Sequence, residues 1–569
     1  MPDVPLDEQS YFPRLRAVFG GRFLVGLHLI QHILKGFVCG GGGGGLAGTP
    51  VDFILRDYKV SGTDLQVYRS ATGIPWSIKP LIGLLSDRIS LFGYHKRPYM
   101  FISTLLALLA MVVLTQRPDP LIVSLVACFL IFLQCAVCDL LSEGMYAAKL
   151  KSHPKSGPDL VTFVWVGISI FRTFAVLLVG PLIDSIGPFR VYWIGVPFAA
   201  LVLPLVVFNL LGEARVDADQ ASEENVKPKF WEMTCLSLVT GLGGLFLAIY
   251  SIIETQLHRK CIVAGVLGIV VVLLFTFLTR PLIAKQNLFM FIQNCMHFGI
   301  HGASFYFFTD TPEQYPEGPH FGTVFYTTTL GIVASICSLV GMYLYNRFMK
   351  HWHYQWIFSF SSVLCSLVGL FNIIVYTRFN VTHLGIPDRI FVISSAALGT
   401  VLGEFNWMPA IVLLSQSCPD NLESTMYALL AGASNLSSSL SDYFGAMLLY
   451  HLGVTPDGSP NEGPKFARLW EASLWSCLAP LVPLVLVRFL IPNARQTDSL
   501  IIDEPSDPCH GSLLRRIQSS WFSKGRPHIF KNVELEEVES LADTTSDLSE
   551  DHPGSPAVIG RPGMGEPIE

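Results

Sequence analysis

Residues 64–100 read DLQVYRSATGIPWSIKPLIGLLSDRISLFGYHKRPYM, and their pattern decides the fold class. An apolar run carries Lys79 at membrane depth and ends in Gly83-x-x-x-Asp87-Arg88. A short loop with Gly93, His95, Lys96 and Arg97 follows before the next apolar run begins. A charge at the centre of a membrane helix costs about 2.5–3.5 kcal/mol, so Lys79 is expected to face the interior of a helical bundle.

The same texture continues outward. The chain has 569 residues, of which 51% are apolar and 14% charged. Apolar runs of roughly 20 residues recur, and a helix of that length crosses a bilayer core of about 30 Å. Only helices or closed barrels satisfy the backbone in lipid, and continuous apolar runs lack the alternation of a barrel strand. The expected class is an all-α polytopic membrane protein. Net charge is −6, with much of the acid in the tail, and no nucleic-acid partner is expected. The twelve cysteines lie mostly in apolar segments and read as small core residues, so neither metal nor cofactor is expected. The N-terminal stretch lacks an early apolar core and does not read as a signal peptide, which leaves targeting to the first membrane helix.

Fourteen spans are expected, near 22–46, 66–86, 98–115, 120–148, 160–186, 190–212, 231–253, 260–279, 286–310, 321–346, 354–377, 388–416, 422–451 and 466–491. They divide the chain into an N-terminal segment (1–21), a first six-helix half (22–212), a polar linker (213–230), a hairpin (231–279), a second half (286–491) and a disordered acidic tail (495–569). The halves echo one another in order. Gly83-x-x-x-Asp87-Arg88 has a degraded counterpart in Gly341-x-x-x-Tyr345-Asn346-Arg347, and Asp139 before Pro154 matches Glu404 before Pro419. The hairpin stands outside this repeat, and one of its helices could instead lie on the surface. Lys and Arg in the loops 87–97, 149–159 and 347–353 place those loops and both termini in the cytoplasm. Arg259 and Lys260 fall on the other side against that rule. So does the sequon at Asn380, as a glycosylation site requires.

The Gly83–Arg88 motif with its basic loop resembles the signature between the second and third helices of major-facilitator transporters. IPWSIKPLIGLLSD (74–87), LFGYHKRPY (91–99), DLLSEGMYA (139–147), HPKSGPDLVTFVW (153–165) and the Arg172 helix through GPLIDSIGP (180–188) resemble one branch, the folate–biopterin transporters. The resemblance implies two six-helix halves, 12–14 spans, and proton-coupled movement of folate, biopterin or related pteridines by alternating access. S-adenosylmethionine is the alternative, because some protozoan relatives are associated with it. In this family Gly83 would let helices pack closely. Asp87, Arg88, Lys96 and Arg97 would form a cytoplasmic gate.

Charges and polar stripes inside the spans supply the candidate site. His28, Gln31, His32 and Lys35 share one face of the first span. Gln293, His297 and His301 share one face of its counterpart. Such stripes either line a cavity or knit helices by hydrogen bonds, and cavity lining is the expectation. Asp139 and Glu143 lie one turn apart and are candidates for proton exchange. Arg172 is a candidate partner for Asp139 and for a substrate carboxylate. Arg69, Lys79 and Glu404 complete the charged set, and Trp165 and Trp407 could stack on a flat heterocycle. A membrane-embedded enzyme would need a catalytic constellation at one interface, and the sequence offers none. A receptor of transporter shape has only the long tail in its favour. The plasma membrane is the default location.

Overall fold

The structure is a computed structural model that describes residues 10–40, 44–153, 156–215, 231–418, 423–498, 500 and 507–524. Gly41 to Gly43, Pro154, Lys155, Pro419, most of the acidic linker and most of the tail lie outside the described residues. Residues 1–513 form one compact unit, and the rest of the chain, with most of a short helix at Leu513–Lys524, forms another.

The first half begins with α1 (Tyr11–Phe19) and α2 (Gly21–Val38), which meet at a bend of 103°. Gly20 sits at that bend with φ +84°, a conformation that side chains rarely adopt. The chain continues through α3 (Pro50–Asp57), α4 (Gly62–Gly73), α5 (Lys79–Arg88), α6 (Arg97–Thr115), α7 (Leu121–Ser152), α8 (Gly157–Ile186) and α9 (Val191–Val207). The hairpin is α10 (Trp231–Ile253) and α11 (Leu257–Leu278). The second half runs through α12 (Pro281–Cys295), α13 (His301–Thr309), α14 (Phe325–Met349), α15 (Tyr354–Tyr376), α16 (Asp388–Gln416), α17 (Glu423–His451) and α18 (Gly463–Leu490).

Among the described residues nine helices are long and apolar enough to cross a membrane, or ten if α1 and α2 count as one span. The other four expected spans are broken, short or more polar. The second span is split into α4 and α5 by a tight turn at Ile74–Trp76 that contains Pro75 and is followed by Pro80, and prolines lack the N–H a continuous helix needs. The sixth is the shorter α9. The ninth is split into α12 and α13 by a break at 296–300. The thirteenth, α17, is one helix that carries Ser437, Ser438, Ser439, Ser441 and Asp442.

The break before α13 is held by its neighbours. Gly299 N donates to Ser441 O at 3.1 Å, and Gln66 Nε2 donates to Gly299 O at 3.0 Å, so its polar backbone is satisfied inside the bundle. A Cβ on Gly445 would lie 1.7 Å from Gly299 O, so α17 reaches the break only because Gly445 is bare.

Both hairpin helices are long enough to cross. They flank the seam where α4 and α5 meet α17. Lys260 at the turn is fully buried, with Nζ 3.2 Å from Asp64 Oδ1 and 4.5 Å from the Tyr68 ring centre. Arg259 lies 3.6 Å from Glu254. Partners therefore accompany the two cations that break the loop-charge pattern.

The segments around Arg14 and around Ala494 and Gln496 lie beside the loops that follow α7 and α14. Arg14 Nη2 pairs with Asp159 at 2.8 Å, beside the loop after α7. Tyr354 N donates to Ala494 O at 3.0 Å, and Gln496 Nε2 donates to Met349 O at 2.9 Å. This is also where the basic loops lie, and it is called the basic end below. The halves meet mainly toward the opposite, far end. There Tyr306 Oη donates to Val60 O at 2.6 Å and Gly62 N to Pro456 O at 2.6 Å. Thr328 Oγ1 donates to Val176 O at 2.9 Å. Nearer the middle, Ser70 Oγ donates to Ser439 O at 3.2 Å and Asn435 Nδ2 to Trp76 O at 3.1 Å.

The close packing expected at Gly83 is found at its echo instead. A Cβ on Gly83 would meet only Leu140 Cδ2 at 3.6 Å, an ordinary contact. One on Gly341 would lie 2.8 Å from Val401 O and 3.0 Å from Glu404 Cβ.

Candidate functional site

The first half holds a charge cluster built on α7. Asp139 is fully buried and is flanked by two ammonium groups, Lys35 Nζ at 2.7 Å from Oδ1 and Lys79 Nζ at 2.7 Å from Oδ2. Gln31 Nε2 donates to Asp139 Oδ1 at 3.0 Å and to Ser142 Oγ at 2.8 Å. One turn along α7, Glu143 completes the cluster more loosely, 3.3 Å from Lys35 and 3.6 Å from Lys79. Its side chain is 25% exposed, whereas that of Asp139 is 0%. Each lysine also stands over an indole, Lys35 at 5.3 Å from the Trp165 ring centre and Lys79 at 4.8 Å from that of Trp76. Two cations and two anions balance, as charges buried among apolar helices must.

Local sequence explains the convergence. Pro75 and Pro80 break the second span just where Lys79 opens α5, and an anion beside the first turn of a helix is favoured. From His28 to Val38 the first span winds as a wide π-helix. The expected stripe separates there into two i, i+4 pairs. Gln31 and Lys35 reach α7. His28 and His32 turn to α8, where their Nδ1 atoms lie 2.8 Å apart and His32 Nε2 lies 3.0 Å from Phe163 O. Gln31, His32 and Lys35 are buried, and each bonds a neighbouring helix.

The expected pairing of Asp139 with Arg172 is replaced. Arg172 is exposed on α8 and makes no ion pair with Asp139, whose partners come from α2 and α5. In the second half Glu404 accepts from Ser338 Oγ at 2.6 Å, in the place its repeat position implies, and among the described residues it makes no ion pair like those of Asp139. The charge cluster therefore belongs to one half only. Gln293 Nε2 bonds Ser362 Oγ at 3.3 Å and Pro480 O at 3.2 Å. The single face expected for Gln293, His297 and His301 does not form, because the break at 296–300 separates them.

At the basic end Arg88, Lys96 and Arg97 contact their own half or the hairpin. Arg88 reaches Thr234 Oγ1 at 3.3 Å, and Arg97 donates to Val206 O at 2.9 Å and Val207 O at 3.2 Å. Lys96 Nζ lies beside Gly144 of α7. Glu213, unnoticed in the sequence, accepts from the backbone N–H groups of His95, Lys96 and Arg97 at 2.9, 2.8 and 2.9 Å. It thereby caps the free N–H groups that open α6.

Two further clusters lie toward the far end. Arg69 Nη1 pairs with Asp52 at 2.6 Å, and His301 Nδ1 lies 3.5 Å from Asp442 Oδ1. Nearer the end, Arg56 crosses from the first half to bond Thr309 Oγ1 at 2.9 Å, Asp310 Oδ1 at 3.1 Å and Gln314 Oε1 at 2.8 Å. The Asp310 and Glu462 side chains are fully buried against each other. Burial pushes the Asp310 carboxyl up to about 8, Arg56 opposes the rise, and Glu462 adds to it. A carboxyl held protonated in the closed arrangement and ionised when exposed adds stability below its ordinary range of about 3.9, and that stability is lost as pH rises toward 8. The thermal midpoint of the purified protein should therefore fall from about pH 6 to about pH 9, with a shallower fall for Asp310→Asn. Equal slopes would remove Asp310 as the titrating group.

The sequon nitrogen of Asn380 is not presented by the folded chain. Asn380 is buried, and its Nδ2 donates to Asp388 Oδ1 at 2.8 Å and Ile386 O at 3.3 Å.

The BT1 family profile matches residues 41–508. The probable folate-biopterin transporter 2 of Arabidopsis thaliana is 26% identical over 81% of this chain and 82% of its own length. The folate-biopterin transporter of Synechocystis is 25% identical, covering 82% of each. Folate transporter 1 of Plasmodium falciparum is 22% identical over 80% of this chain and 78% of its own. Among solved structures, a POT family transporter in complex with 5-aminolevulinic acid superposes with a TM-score of 0.59 at 13% identity, over 83% of this chain and 98% of that one. The nucleoside transporter NupG superposes at 0.51 and 11% identity, over 82% and 99%. These superpositions establish the major-facilitator fold.

Proposed function

The chain belongs to the BT1 family, and from that premise we propose that it is a secondary active transporter that moves folate, biopterin or a related pteridine across the plasma membrane by alternating access, coupled to protons. The observation that carries the reading is the buried cluster of Lys35, Lys79, Asp139 and Glu143. A neutral cluster of this kind accepts an anion only if its own negative charge is reduced. Protonation of Glu143, the more exposed and more loosely held carboxylate, leaves the lysines with one positive charge in excess. A substrate carboxylate restores the balance, so proton and anion bind together. Asp139 stays between the two ammonium groups as the fixed anchor. Trp76 and Trp165 offer flat faces beside the same lysines.

The arrangement supports alternating access. The far end is joined across the halves through Arg56, Gly62 and Tyr306. Arg88 and Arg97 at the basic end engage the hairpin and their own half. We assign Asp87, Arg88, Lys96 and Arg97 to a gate that closes the basic end in the opposite state, and place that end and both termini in the cytoplasm.

The test is uptake of labelled folate, biopterin and S-adenosylmethionine at about pH 5.5 and about pH 7.5. Wild-type uptake of folate or biopterin should be greater at the acid pH, and Glu143→Gln should remove that difference. Undiminished pH dependence in the variant would overturn the role of Glu143. Uptake of S-adenosylmethionine alone would replace the substrate.

A further inference from the structure

Asp52, Arg69, His301 and Asp442 form a second charged group that the lysine cluster does not use. It draws on both halves: Asp52 precedes α4, Arg69 lies on α4, His301 opens α13 and Asp442 lies on α17. The backbone here is tightly fixed. Asp442 O accepts from Gln66 Nε2 at 2.7 Å, and a Cβ on Gly299 would lie 2.4 Å from Asp442 Oδ1. The side chains are nevertheless partly open, 31% for Arg69, 39% for His301 and 23% for Asp442, against 0% for Asp139. Asp442 faces His301 at the loose distance of 3.5 Å, with Arg69 and the Ser70 hydroxyl also beside it, and a carboxylate with several acceptor sites and a side chain 23% open keeps acceptor capacity beyond these partners.

Arg69 and Lys79 are ten residues apart on the same interrupted span, which places them about 15 Å apart along it at helical rise. The two poles thus differ in chemistry and lie on either side of the turn between α4 and α5. The lysine cluster suits a carboxylate. A partly open carboxylate at the other pole suits a ring edge that presents two parallel N–H donors. The amino-pyrimidinone edge of a pterin, with its 2-amino group beside N3–H, is such an edge, and the extended length of a folate is comparable to the separation.

We propose that Asp442 is the ring-recognising carboxylate of the substrate path, accepting from the 2-amino group and N3–H of a 2-amino-4-oxopteridine while His301 positions it. The proposal rests on the pteridine reading above and adds the residue that would select the ring.

The experiment compares binding of pterin and lumazine to purified wild-type protein and to Asp442→Asn. Lumazine has an oxygen in place of the 2-amino group and sets an acceptor against the carboxylate. Wild type should prefer pterin by at least about tenfold, the worth of a hydrogen bond to a charged group. Asp442→Asn should lose that preference by weakening pterin binding while lumazine binding stays the same, and Asp442→Glu should retain part of it. A wild-type preference that persists undiminished in Asp442→Asn overturns the proposal and leaves the transporter reading intact. Wild-type protein that binds neither pterin, folate nor biopterin overturns both. If Asp442→Asn is not monodisperse, Asp442→Glu is read in its place, where a preference as large as that of wild type overturns the proposal and a reduced one supports it, and equal affinity of wild type for pterin and lumazine overturns it outright.

Discussion

Asp139→Asn should abolish uptake and destabilise the protein by about 3–5 kcal/mol, the range for removing one partner of a buried ion pair. The substitution keeps shape and volume, so packing is not the cause. The loss arises because Lys35 and Lys79 both lie within 2.7 Å of the removed charge, and the remaining carboxylate, Glu143, is 3.3 and 3.6 Å away. One anion then faces two cations in a region without bulk water. Combining Asp139→Asn with Lys79→Met should recover part of the stability, because charge balance returns, but not uptake. Thermal midpoints of the purified variants together with uptake would check this. Wild-type stability in the single variant would mean that the cluster is not buried as a unit.

Gly302→Val should reduce uptake to below about a tenth of wild type while leaving a folded protein. A Cβ at Gly302 would lie 1.9 Å from Gly62 O, backbone against backbone across the two halves. Neither side can yield by turning a side chain. The contact belongs to the arrangement in which the far end is closed, and a carrier held away from that arrangement cannot complete its cycle. The expected signature is near-normal elution and melting with lost transport. Normal uptake would show that the halves need not approach this closely.

The sequence disclosed the membrane class, the major-facilitator fold and most members of the lysine cluster. Lys79, Asp139, Glu143, Gln31 and Lys35 are legible because charge inside an apolar run has few explanations. Their pairing was not legible. Arg172 and Lys79 both offer a cation to Asp139 on paper, and only the packing of α2 and α5 against α7 decides between them. The break before α13 was hidden for a similar reason. It depends on Gly445 of α17 admitting Gly299, a contact between residues far apart in the chain. Asp442 lay in view within a serine-rich span, but its meaning comes from His301 and Arg69. The Asn380 sequon shows the reverse, a local motif overruled by burial against Asp388.

The most direct test of the central claim is uptake of labelled folate and biopterin into proteoliposomes holding the purified protein, with and without an inward proton gradient. The account predicts saturable uptake of at least one of them, driven by the gradient and abolished when a protonophore collapses it. Uptake that ignores the gradient would contradict the coupling, and the absence of uptake of either compound would contradict the assigned substrate.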